Sequence, residues 1–171
     1  MNRKIRWIAE TAIMLALLVT LQALTKPAGQ LVTGTCVNAV LAITALMTGF
    51  YGGITVAVIS PVLAFLLGIA PQALTVPAIM AGNAVYVVLL WCIAGKHSKK
   101  VLCQVLGWLV AAAAKFAVLY GMVNWVICGL FAQNLPAAAL ASFSWPQLVT
   151  ALAGGAAALL MVPLLRKALR K

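Results

Sequence analysis

The chain alternates between long apolar runs and short breaks that contain charged residues, proline or glycine. A helix needs about 20 apolar residues to cross the hydrocarbon core of a bilayer, and most of the runs approach that length. We therefore predict an all-α integral membrane bundle that forms a single transmembrane domain over residues 1–171. Its six transmembrane helices are predicted at about residues 7–24, 31–48, 54–67, 76–94, 101–131 and 146–165.

The breaks between the runs predict turns and loops. Three glycines within residues 49–53 predict a tight turn, and residues 133–145 form the longest predicted loop. The fifth run is long for one crossing, so its helix is expected to tilt, to bend near Gly121 or to project beyond the membrane.

The composition narrows the class of protein. Hydrophobic residues make up 65% of the chain, against about 45–50% apolar residues in soluble domains. The formal charges are 12 basic residues and a single acid, Glu10. Because a soluble domain of this size needs a charged shell, the composition excludes a soluble globular protein, a disordered chain and a secreted disulfide scaffold.

The basic residues predict the orientation in the membrane. With the N-terminus inside, the segments before the first span, between the fourth and fifth spans and after the sixth span are cytoplasmic. Together they contain all but two of the 12 basic residues, since Lys26 falls outside and Lys115 falls within the fifth span. Basic loops tend to stay in the cytoplasm, so we predict that both termini are cytoplasmic. Topology thus explains the net charge of +11 without a nucleic-acid partner.

The chain lacks the side chains that catalytic and metal sites require. Hydrolases and ligases need a nucleophile with a base, paired carboxylates or a metal cluster, which one acid and one histidine, His97, cannot supply. The four cysteines have no C-x-x-C spacing, and residues 95–98 lack the residue order of a phosphate-binding loop. We therefore predict no enzyme activity, no cofactor and no metal site, and expect any transport energy to come from a partner or a gradient.

Polar side chains within the predicted spans lie at similar depths. Lys115 is 14 residues past Val101, so it lies about 21 Å from the cytoplasmic end of the fifth span. Asn38 and Asn83 each lie seven residues into a span that descends from outside, at a depth of about 10 Å. We predict a polar substrate pocket that opens to the outside. Its candidate substrate-binding residues are Asn38, Asn83, Lys115, Asn124, Gln147 and Thr150.

These residues also have structural interpretations that the sequence leaves open. An asparagine in a membrane helix can simply bond to a neighbouring helix, and Lys115 can extend to the membrane surface. Lys115 and Asn124 are nine residues apart and face opposite ways on a regular helix. Both therefore reach one pocket only if the fifth span bends near Gly121.

The charge of Lys115 predicts a property of the substrate. Glu10 lies one turn after Arg6, where an ion pair is expected and a contact with a partner protein is the alternative. The Glu10 Cα lies about 16 Å below that of Lys115, too far for a salt bridge. A buried lysine without a counter-ion loses its proton, extends to water or takes an anion from elsewhere. We predict a substrate carboxylate that pairs with Lys115, while Asn38 and Asn83 bond to the polar body of the substrate.

Small residues form a strip along the first predicted span. Ala9, Ala12 and Ala16 share one helix face, and a smooth face lets another helix approach closely. The strip therefore serves either packing within the protein or docking of a partner.

Four stretches, in their order and spacing, resemble the substrate-binding S component of an energy-coupling factor (ECF) vitamin transporter. They read AETAIMLALL, LVTGTCVNAVLAITALMTGFYGG, SPVLAFLLGIAPQALTVPAIMAGNAVYVVLLW and PQLVTALAGGAAALLMVPLLRKAL.

The resemblance implies a multi-pass protein of the bacterial cell membrane that holds a vitamin-type substrate on its outer side. It also implies that Ala12 and Ala16 lie on a strip that docks on a transmembrane coupling subunit, which two ATPase subunits carry. Asn38 and Asn83 fall in the resembling stretches VNAVL and GNAVY. The identity of the vitamin does not carry over. A stand-alone gradient-driven permease or a membrane scaffold is the alternative function.

Overall fold

The computed structural model describes residues 3–69, 72–95, 101–131 and 135–169, which form helices joined by short connections, with no strand among them. The α-helices of these ranges are α1 (Arg3–Thr25), α2 (Gln30–Met47), α3 (Gly49–Leu66), α4 (Val76–Leu90), α5 (Val101–Gly121), α6 (Ala137–Ser142) and α7 (Trp145–Leu169). Two π-helical segments continue helices of this set, Trp91–Gly95 after α4 and Met122–Leu130 after α5.

Six helical segments of the described ranges are long and apolar enough to cross a membrane, which confirms the predicted all-α class and the number of spans. The protein is therefore a multi-pass membrane protein. The segments are Lys4–Ala28, Gln30–Met47, Gly49–Leu66, Ala73–Gly95, Val101–Leu130 and Ala137–Leu169.

Two predicted breaks are wrong in detail. The expected turn at residues 49–53 is helical, because α3 already begins at Gly49, whose φ of +83° makes the turn alone. Gly53 instead serves packing, since a methyl group there would lie 2.6 Å from Val87 Cγ1. The expected loop at residues 133–145 contains the short helix α6, whose alanines have a high helix propensity.

Helix α2 lies at the centre of the bundle and packs against α1, α3, α4 and, most extensively, α7. A methyl group at Gly154 of α7 would lie 2.7 Å from Asn38 Cβ, so the glycine lets the two backbones approach closely at this depth. Helix α5 packs against α4 and α7. This arrangement places Lys115 of α5 opposite polar residues on α2 and α4.

Helix α1 lies at the edge of the bundle, where it packs against α2 and α3. Its inner face buries Thr11 and Leu18. Its outer face exposes the whole predicted strip of small residues, Ala9, Ala12 and Ala16. Arg6 Nε donates to Glu10 Oε1 over 2.7 Å, which confirms the predicted ion pair at the start of this helix.

The orientation of the termini stays a prediction, and labelling with an impermeant thiol reagent tests it. We expect cysteines introduced at Ala28 and Ala138 to react in whole cells, because charge bias places these exposed positions outside. A cysteine at Val101, which is exposed at the opposite end of the bundle, is the matched control and is expected to stay unlabelled. Each cysteine is introduced into a variant of the protein that lacks the four native cysteines. Labelling at Val101 but not at the other two positions would reverse the topology. The basic residues at 96–100 and 170–171 lie outside the described residues.

Candidate functional site

A cavity of about 230 Å³ opens at the end of the bundle where α1 ends and α2 and α4 begin. In the predicted topology this is the outer end of the protein. Polar side chains from four helices, α2, α4, α5 and α7, reach its wall. Of the predicted site residues, Asn38, Asn83, Lys115 and Gln147 line the cavity.

Lys115 projects from α5 between two asparagines. Its Nζ donates to Asn38 Oδ1 over 2.5 Å and to Asn83 Oδ1 over 2.7 Å. Nζ also lies 5.4 Å from the centre of the Tyr86 ring, within the range of a cation–π contact. The residue is only 2% exposed, so the alternative in which it extends to the membrane surface is wrong. The lysine is instead held at the floor of the cavity.

Thr150 does not line the cavity but bonds to Asn38, which does. Its Oγ1 accepts a hydrogen bond from Asn38 Nδ2 over 3.2 Å and donates to the Gln147 carbonyl over 3.1 Å. Because the amide nitrogen of Asn38 faces Thr150, the amide oxygen faces Lys115. Thr150 is fully buried and is not among the residues that line the cavity. Its contact therefore orients Asn38, while Asn38 itself bonds both to a neighbouring helix and to the lysine.

Gln147 and Asn124 are placed differently. Gln147 lines the cavity, and its Nε2 donates to the Ser142 carbonyl over 3.0 Å, which ties α7 to α6. Asn124 lies in the π-helical segment after α5, does not line the cavity, and donates to the Tyr120 carbonyl of its own helix. Asn124 therefore lies apart from the other predicted site residues, because the change of helix type after Gly121 does not turn it towards the cavity.

Sequence reasoning missed several polar residues near the cavity mouth. Gln22, Lys26 and Gln72 line it, and Lys26 Nζ donates to the Gly68 carbonyl over 2.7 Å, linking two connections of the bundle. These residues lie at or near the ends of predicted spans, where polar side chains are ordinary. Nothing in the sequence pattern therefore separates them from surface residues.

Two basic side chains, Lys26 and Lys115, line the cavity, and no acidic side chain does. Glu10, the only Asp or Glu in the chain, bonds to Arg6 on α1. Among the described residues no group of three or more histidine, cysteine or acidic side chains could hold a metal ion. The site offers two ammonium groups, amide groups and hydroxyls, which bind polar organic molecules through hydrogen bonds and charge.

The described residues thus define a membrane protein with six helical segments long enough to span a bilayer and a polar cavity at one end. The family model of the ECF transporter substrate-specific component matches residues 6–166, nearly the whole chain. The chain belongs to this family and is a substrate-specific membrane subunit of an ECF transporter rather than an enzyme. Such a subunit has a specific substrate. It is part of a membrane complex that also contains a transmembrane subunit and ATPase subunits. Comparison with individually curated proteins and with solved structures gives no significant match.

Proposed function

We propose that this subunit captures a small vitamin-type substrate that bears a carboxylate, for ATP-driven import across a bacterial cell membrane. The substrate occupies the cavity, its carboxylate pairs with Lys115, and Asn38 and Asn83 contact its polar body.

The single observation that carries this proposal is the buried Lys115, which has no acidic partner in the part of the chain that the structure describes. An ammonium group has three N–H donors, and Asn38 and Asn83 accept two of them. Asparagine oxygens are neutral, so they satisfy hydrogen bonds without supplying a counter-charge. Because Lys115 lines the cavity, a substrate anion there can accept the third donor and neutralise the charge.

The size of the cavity supports a small substrate. Pockets for drug-sized ligands measure about 300–1,000 Å³. The present cavity of about 230 Å³ is below that range. A compact vitamin or related micronutrient therefore suits the site better than a large cofactor.

The exposed strip on α1 supports docking on the transmembrane coupling subunit. Ala9, Ala12 and Ala16 face outward, and Thr20 and Ala23 continue the exposed small residues along the helix. A strip without bulky side chains lets a partner helix approach closely over several turns. We propose that this face of α1 docks on the transmembrane coupling subunit, and that two ATPase subunits drive the transport.

Binding and accumulation by the isolated protein test the proposed function. The full-length protein, purified in detergent, is incubated with the small-molecule fraction of yeast extract, and native mass spectrometry identifies what is bound. We expect a small molecule that forms an ester when treated with acidic methanol, which reveals its carboxyl group. In liposomes that contain this protein alone, we expect no accumulation of that molecule under a proton or sodium gradient, because the proposed function assigns energy coupling to the partner subunits.

The alternatives predict different outcomes of the same experiment. Gradient-driven accumulation by the protein alone would identify a stand-alone permease. Failure to bind any small molecule would favour a scaffold and contradict the proposal.

A further inference from the structure

Two glutamines at the cavity mouth have oxygen atoms without a hydrogen-bond partner among the described residues. Gln22 Oε1 and Gln72 Oε1 are buried, and neither accepts a hydrogen bond from this part of the chain. Both side chains line the same cavity as Lys115. Buried polar atoms are nearly always paired, so an unpaired acceptor in a side chain that lines the cavity points to a partner that enters with the ligand.

The glutamines lie nearer the cavity mouth than the lysine and its asparagines. Asn38 lies eight residues into α2, about 12 Å from the end of the bundle at Gln30. Gln22 lies three residues before the end of α1 at Thr25, about 5 Å from that same end. Gln72 precedes the first helical turn that leads into α4. The cavity thus has Lys115 and its asparagines at the floor. At the mouth, two unpaired acceptors lie near Lys26, whose ammonium group already donates to the Gly68 carbonyl.

The two ends select different chemical groups. A side-chain amide oxygen accepts hydrogen bonds and donates none, so its partner is an N–H or O–H group. The ammonium of Lys115 donates only, so its partner is an anion or another acceptor. A ligand that satisfies both ends carries an acceptor at one end and donors at the other.

We infer that the substrate is a two-ended molecule, with its carboxylate at Lys115 and at least two N–H or O–H hydrogens directed at Gln22 and Gln72. This inference rests on the proposed function and narrows its substrate class. It excludes simple fatty or aromatic acids, whose remainder has no donor, and favours acids that carry amide, amine or hydroxyl groups.

Hydrogen–deuterium exchange on the bound molecule tests this inference without any variant. The molecule that the wild-type protein retains from yeast extract is released and weighed in water and in deuterium oxide. We expect at least two exchangeable hydrogens besides that of the carboxyl group. A bound carboxylic acid with no further exchangeable hydrogen would overturn the inference and leave the proposed function intact. Absence of any bound molecule would overturn both.

Substitution of the glutamines gives a second, independent test. Methionine has a similar length but cannot accept a strong hydrogen bond, so Gln22→Met with Gln72→Met is expected to weaken binding of the identified molecule about tenfold. Gln104→Met is the matched control, because Gln104 lines a separate groove near Arg166 and is expected to leave affinity unchanged. Equal affinities of the double variant and the control would contradict the role of the two glutamines.

Discussion

Lys115→Met is expected to weaken substrate binding by about a hundredfold or more. The substitution keeps an unbranched side chain in the buried position but removes the ammonium group that is proposed to meet the substrate carboxylate. Removing one partner of a desolvated charge pair costs on the order of 3–5 kcal/mol, and each 1.4 kcal/mol corresponds to about a tenfold change in affinity. Equilibrium binding of the molecule identified by mass spectrometry to the purified variant measures the effect.

Two further variants separate the charge of Lys115 from its packing. Lys167→Met removes an exposed lysine at the opposite end of the bundle and is expected to leave binding unchanged. Asn83→Asp gives Lys115 a permanent counter-ion within the protein, because Asn83 Oδ1 already lies 2.7 Å from Nζ. We expect this variant to bind the substrate more weakly and to melt at a higher temperature when empty. Unchanged affinity in both Lys115→Met and Asn83→Asp would show that the lysine has only a structural role.

Ala12→Trp combined with Ala16→Trp is expected to abolish uptake by the complete transporter while leaving substrate binding intact. Both alanines are exposed on α1, and neither contributes to the cavity. Two indole rings one turn apart would hold a partner helix away from the backbone of α1. Uptake of the identified molecule in cells that contain the coupling and ATPase subunits, compared with binding by the purified variant, measures the two effects separately.

A matched pair of tryptophans on α7 controls for the added bulk. Leu160 and Leu164 are also four residues apart, and their exposed fractions are 74% and 68%. Because they lie on another helix, Leu160→Trp with Leu164→Trp is expected to leave uptake near the wild-type level. Loss of binding in the α1 variant would show that the alanines pack inside the protein, and equal loss of uptake in both pairs would show a general effect of bulk.

Much of the architecture follows from properties that are local in the sequence. A helix crosses a bilayer when enough consecutive residues are apolar, so six spans could be counted without knowing how they pack. The depth of a residue in the membrane also follows largely from the local sequence, because each residue of a helix advances 1.5 Å along its axis. The sequence therefore predicts Lys115, Asn38 and Asn83 at compatible levels, and the structure brings both asparagines within hydrogen-bonding distance of Lys115.

Glycine and alanine positions were harder to interpret. The glycines at residues 49–53 predicted a turn, but only Gly49 makes one, and Gly53 lets α3 pack against Val87 of α4. A glycine at a turn and a glycine at a helix contact look the same in a sequence, because the difference depends on the neighbouring helix. The alanine strip on α1 had the same ambiguity until the structure showed that it faces outward.

The sequence by itself determined the class, the number of spans and the depth of the polar residues, since length, composition and helical rise are sufficient for these. Only the tertiary structure decided which faces meet. It placed Thr150 behind Asn38, left Asn124 away from the cavity, and revealed Gln22 and Gln72 at the mouth. The physical reason is that the rotation of a helix about its own axis depends on its packing partners. That rotation selects which of several polar residues at one depth face the cavity.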